Sequence, residues 1–178
     1  MCSTCLKALS ALALPMFWLA AGCASSSSRL SVPIAGGQAV DLERQGSRFK
    51  QAENDRVSIT DASLQAVSLD GNHYVRWSFV ISPKQAAMLN AVRIEDVSDP
   101  TPLLLVNDVA PELEEGKWAE KAGLMDLSSG NTRWLFKPGE TVRIFRFTIS
   151  EPEGQNYVLY QGVQYSPASK EAIRALVR

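Results

Sequence analysis

Histidine and cysteine are scarce in this chain. There is one histidine, His73, and there are three cysteines, Cys2, Cys5 and Cys23. A single imidazole excludes HExxH and every other zinc site that needs two histidines. Cys2 and Cys5 fall in an apolar leader. A chain cut before Cys23 keeps one thiol, which forms no internal disulfide and supplies no cysteine cluster for a metal. A surplus of either charge is lacking too. Lys and Arg number 18 and Asp and Glu 19, a net charge of −1. That balance offers no basic surface for nucleic acid and no polybasic patch for anionic lipid.

Signatures of catalysis are equally thin. One histidine could serve a Ser-His-Asp site, but the chain has no G-x-S-x-G elbow to mark a nucleophile for His73. Beside the turn Asp70–Gly71–Asn72 it reads as a strand-end residue. Ser47–Arg48–Phe49–Lys50 fits S-x-x-K, but no S-D-N or K-T-G accompanies it. Carboxylates gather at Glu95, Asp96 and Asp99, and again at Asp108, Glu112, Glu114 and Glu115. Neither group has the spacing of a calcium loop. Both read as solvated charge, the second as the acidic first turn of a helix. No catalytic residue, metal or cofactor is expected.

What is present starts at the N-terminus. Lys7 is the sole charge among the first 22 residues, and Leu9 to Ala21 is apolar apart from Ser10 and Pro15. A short positive region before an apolar run has the form of a secretory signal. The run is shorter than the roughly 20 residues a spanning helix needs, and Pro15 interrupts it. It ends in Leu19–Ala20–Ala21–Gly22–Cys23. This resembles the lipobox of bacterial lipoproteins, matching at Ala21, Gly22 and Cys23. It departs where Leu usually stands three places before the cysteine, a position held here by Ala20. The resemblance implies that Cys23 carries diacylglycerol, that residues 1–22 are removed and that the new N-terminus is acylated. The physical logic is plain. Small residues let an extended backbone enter a protease cleft, and the thiol is a nucleophilic attachment point. Two or three acyl chains then hold where one binds only marginally. Ala24, in place of Asp, implies by the same resemblance an outer-membrane destination.

Removal of residues 1–22 leaves 156 of the 178, the size of one domain. Residues 23–55 are expected to be the anchor and a flexible tether. They are rich in Ser, Gly and Gln, show no sustained period, and allow at most a short helix near Ala39–Arg48. About 30 residues of coil average roughly 30 Å and reach about 100 Å when pulled straight.

Residues 56–178 read as a β domain. His73, Val75, Trp77, Phe79 and Ile81 share one strand face, with Tyr74, Arg76 and Ser78 on the other. Asp70–Gly71 joins this strand to SLQAVSL as a hairpin. Val92 and Ile94 alternate with Arg93 and Glu95. Leu103–Val106 is a short apolar run. Phe145, Phe147 and Ile149 share a face, as do Tyr157, Leu159 and Val163. Short helices are expected from Ser82–Pro83 to Leu89, from Glu112 to Ala122 with Gly123 closing it, and after Ser166–Pro167 at the C-terminus. Six or seven strands with turns every 8–15 residues predict a mainly β fold: an antiparallel immunoglobulin-like sandwich with short helices, the last at the C-terminus.

Between two strand signals, Asp108–Arg133 is longer than a hairpin loop requires. It sets Trp118, Leu124 and Met125 among charges. Two readings follow: a recognition loop with these residues as its partner-binding tips, or a helix folded back as a lid with Trp118 buried.

The expected function is that of a non-catalytic outer-membrane lipoprotein facing the periplasm, its membrane contact made by lipid on Cys23. Its protein partner would lie in the envelope. It would act as an accessory subunit of a secretion or assembly complex or as an immunity-type inhibitor, by fold-level analogy with small lipidated β domains. A carrier of a small apolar ligand needs a cavity between sheets. An envelope hydrolase needs converging carboxylates or a Ser–His73 pair.

Overall fold

The computed structural model describes residues 27–84, 90–109, 119–127, 142–152 and 154–167. The leader, Cys23, Trp118 and the segment after Pro167 lie outside them. Strand accounts for 74% of the described residues and helix for none. The mainly β expectation therefore holds.

Ten strands follow in order: β1 (Ser27–Pro33), β2 (Ala39–Gln45), β3 (Arg48–Phe49), β4 (Val57–Leu69), β5 (Asn72–Pro83), β6 (Ala91–Asp96), β7 (Leu103–Val109), β8 (Ala119–Asp126), β9 (Val142–Ser150) and β10 (Asn156–Pro167). They form a sheet of three, β1-β2-β3, and a sheet of seven, β7-β6-β9-β10-β4-β5-β8. Every pairing is antiparallel except β10 with β4, which run parallel over only three residue pairs, Tyr165–Leu64 to Pro167–Ala66.

Alternation in sequence becomes burial in space. Val75, Trp77, Phe79 and Ile81 are buried on one face of β5, whereas Tyr74, Arg76, Ser78 and Val80 are half-buried on the other. The β4–β5 hairpin closes with Leu69 opposite Asn72. Asp70 and Gly71 both adopt positive φ, 51° and 82°. Two such residues make the turn whose twist matches the strands it joins. His73 is exposed beside it.

The seven-stranded sheet is folded on itself. Phe79 on β5 lies 4.8 Å from Phe145 and 5.1 Å from Phe147, ring centre to ring centre. Both partners are on β9, three strand spacings away in sheet order. A flat sheet would separate them by about 14 Å. The sheet therefore turns over at the narrow β10–β4 junction, and β4-β5-β8 faces β7-β6-β9-β10. Val57, Ile59, Leu64, Val92, Ile94, Ile149 and Val163 fill the space between, with the rings at its centre.

The small sheet adds a third layer and corrects the tether expectation. Residues 27–49 form three strands and the turns between them, and the short helix suggested near Ala39–Arg48 is β2 with its turn to β3. Val32, Val40 and Leu42 alternate with polar residues, too sparsely for the pattern to stand out. The hairpin lies across the outer face of β9 and β10. Ile34 and Leu42 are buried with Val97 and Ile144. Ala35 N donates to Val97 O at 2.9 Å, and Arg44 reaches Gln164 at 3.4 Å. Gly162 makes the close approach possible, since a Cβ there would meet Leu42 Cδ1 at 2.7 Å and Phe49 Cγ at 2.9 Å.

One of the three helix expectations is corrected where it is described. Ser82 and Pro83 end β5, and Ser166 and Pro167 end β10; the helices expected after them run through 85–89 and 168–178, which lie outside the described residues. Ala119–Ala122, placed in a helix closed by Gly123, belong to β8 and pair with β5. Gly123 sits opposite Trp77, where a Cβ would meet the indole at 2.3 Å. The glycine is there for the ring, and no cap is involved.

Candidate functional site

The bend that folds the large sheet also opens it. β4 gains one residue between Thr60–Val80 and Ser63–Ser78, so Asp61 and Ala62 together oppose Phe79. Asp61 takes positive φ, 48°, as a bulged residue can and a regular strand residue does not. Before the bulge, the free edge of β4 is paired by the crossing chain: Ile59 N donates to Ala52 O at 2.8 Å. After it, β4 pairs with β10. Between the two lies a groove of about 840 Å³, within the range of ligand sites.

Its walls come from three elements. Ser47, Arg48 and Phe49 of the small sheet form one lip, Asp61–Leu64 the other, and Gln161–Ser166 of β10 the floor. Ile59, Leu64 and Val163 make its depth apolar. Ser63 and Ser78 share a 2.7 Å hydrogen bond across β4 and β5. Gln161, 3% exposed, accepts from Ala52 N at 2.7 Å and donates to Gly162 O at 2.9 Å, fixing the segment that joins β3 to β4. Burial pushes the Tyr165 phenol up to about 12, so it stays a neutral hydroxyl at physiological pH. The rim carries one exposed guanidinium, Arg48, and one exposed carboxylate, Asp61. Such a surface offers hydroxyls and amides over an apolar floor, with opposite charges at its edges. It suits a polar, near-neutral ligand better than a fatty chain.

No family model, curated protein or solved structure matches this chain. Its site must be read from its own residues.

Of the residues singled out from sequence, Cys23 and Trp118 lie outside the described residues. Leu124 and Met125 are on β8, not at the tip of a loop. Met125 pairs with Val75 and packs on the core, whereas Leu124 pairs with Arg76 on the opposite face. His73 lines neither this groove nor the recess of about 300 Å³ between β2 and the start of β10. Among the described residues no three of His, Cys, Asp and Glu converge on a common point.

The first acidic cluster is not solvated charge. Glu95 and Asp96 are buried. Arg143 Nε donates to Asp96 at 2.9 Å and its Nη2 to Asp99 at 2.6 Å. Arg146 and Arg93 donate to Glu95 at 2.7 and 2.8 Å. Ser98 Oγ donates to Asp96 at 2.8 Å and accepts from Ile144 N at 2.7 Å. These pairs tie the end of β6 to β9 beneath the small sheet, a structural task. In the second cluster Asp108 on β7 is ion-paired with Lys121 on β8.

Sequence reasoning missed the groove. A signal for it does exist: the apolar phase in β4 runs through Val57 and Ile59, then shifts by one to Leu64 and Ala66. An alternation that slips marks a bulge.

Proposed function

We propose that the chain is a non-catalytic lipoprotein, anchored by acyl chains on Cys23 to the periplasmic side of the outer membrane, whose β domain binds another envelope component. The strand order β4-β5-β8 facing β10-β9-β6-β7, joined by one parallel pairing of first and last strands, fits an immunoglobulin-like sandwich. Such a frame does not by itself dictate a chemistry, and function follows from the site it carries. The observation that carries the reading is the Leu19–Cys23 motif followed at once by a folded strand at Ser27.

The groove favours a second, narrower reading: a binder of a small polar ligand. Its half-polar lining argues against a lipid carrier, which would need a closed apolar cavity.

Mass spectrometry of the native protein tests the anchor. The expected mass is that of a chain beginning at an acylated Cys23, and Cys23→Ala should leave the protein unprocessed or released from the outer-membrane fraction. A free sulfhydryl, or a retained leader in the wild type, would sink the reading. A photo-crosslinker at Ser47 or Asp61 should yield a discrete adduct in intact cells that one at exposed Asn107 on β7 does not. Identical adduct patterns at all three sites would remove the groove from the account.

A further inference from the structure

The small sheet leaves almost no slack between the anchor and the fold. β1 begins at Ser27, four residues after Cys23. Four residues, however extended, span no more than about 14 Å. A headgroup layer is itself roughly 5–8 Å thick. Ser27 is not a loose end. It pairs with Gln45 in a seven-pair ladder ending at Pro33–Ala39, and the hairpin is held down by Ile34, Leu42 and the Ala35–Val97 hydrogen bond.

The end of the sheet nearest the anchor is also the lip of the groove. Gln45, opposite Ser27, leads through Gly46 to Ser47 and Arg48, which line the groove mouth. Ser27, Ser28, Gln45, Gly46, Ser47 and Arg48 are all exposed, and Arg48 is the one charge among them. This end of the small sheet presents polar groups and one guanidinium, and Arg pairs well with phosphate, whereas the Asp61 carboxylate stands on the opposite lip of the groove.

We infer that the Ser27 end of the small sheet, with the β2–β3 turn, rests on the bilayer surface, so that the groove opens at the level of the lipid headgroups. This rests on Cys23 being acylated. The domain is then a surface-lying module. Its partner or ligand is met at the membrane, because the anchor does not let it range through the periplasm.

The test uses the full lipidated protein in vesicles of phosphatidylethanolamine and phosphatidylglycerol doped with a headgroup-quencher lipid. A fluorophore is placed at Ser47→Cys or at Gln38→Cys. Gln38 is in the turn at the far end of the hairpin, about 20 Å along the strands. The Ser47 label is expected to be quenched several-fold more than the Gln38 label. Equal quenching, or an unquenched Ser47 label on protein that still floats with the vesicles, overturns the inference and leaves the anchor standing. Inserting about 20 Gly/Ser residues between Ser26 and Ser27 adds roughly 25 Å of coil. It should abolish the difference while flotation persists; a difference that survives the insertion also overturns it. Protein that does not float at all sinks the anchor reading, and this inference with it.

Discussion

Glu95 shows how a charge can be buried without loss. Burial by itself would raise its carboxyl pKa, but the guanidiniums of Arg93 and Arg146 outweigh that and hold it below the ordinary 4.5. A carboxylate whose pKa falls on folding stabilises the protein above the unfolded value, and that contribution disappears as pH drops through the depressed folded value. Glu95→Gln should therefore cost about 2 kcal/mol near neutrality, since hydrogen bonds to charged groups contribute roughly 1.5–3 kcal/mol each. The gap to wild type should close as pH falls below about 4.5. Thermal melts across that range check it, and a gap that stays constant would unlink Glu95 ionisation from folding. Arg143 is bound more tightly into the same region. Burial works against its charge, yet Asp99 and Asp96 raise its pKa further. The charges of β6 were legible as residues but not as buried ones. Their partners on β9 are some 50 positions away, and nothing local says that Glu95 and Arg146 share a register pair.

At the scale of elements, the small sheet is the least expected part, and its attachment hangs on one missing side chain. Gly162 lets Leu42 and Phe49 reach the backbone of β10. Gly162→Val leaves no room for them, and overpacking of this kind costs about 1–3 kcal/mol or more. The expected result is selective: amide exchange should accelerate in β1–β3 while β5, β6 and β9 remain protected. Uniform loss of protection would mean that the small sheet is no separable layer. Strands β5, β6 and β9 were readable because their apolar residues alternate without a break. β1–β3 were not, because short, mostly exposed strands carry few apolar residues, and Ser and Gly between them imitate a linker. β8 was misread for a related reason. Lys121, Gly123 and Asp126 break its alternation, and its pairing with β5 is what makes it a strand.

Over the whole molecule, the fold depends on one sheet turning back so that β5 and β9 share a core. Phe79 is fully buried against rings from the opposite half. Phe79→Ala should cost about 3–5 kcal/mol. Because the cavity belongs to both halves, Trp77 fluorescence and amide exchange in β9 should lose stability together. If β9 kept its full protection while the Trp77 environment loosened, the two halves would not be one cooperative unit.

Periodicity and punctuation, which are local, were enough to establish a β protein, the phase of its main strands and the Asp70–Gly71 hairpin, because alternation and positive φ act directly on the backbone within about ten positions. The expectation of an acylated Cys23 came instead from the resemblance of Leu19–Cys23 to a lipobox. The folded-over sheet, the layer built from a supposed tether, the buried ion pairs and the groove required distant segments to meet. Pairing of β10 with β4 joins residues about 100 positions apart, and its energy depends on which surfaces are left to cover once the hairpins have formed. No short window of sequence contains that information.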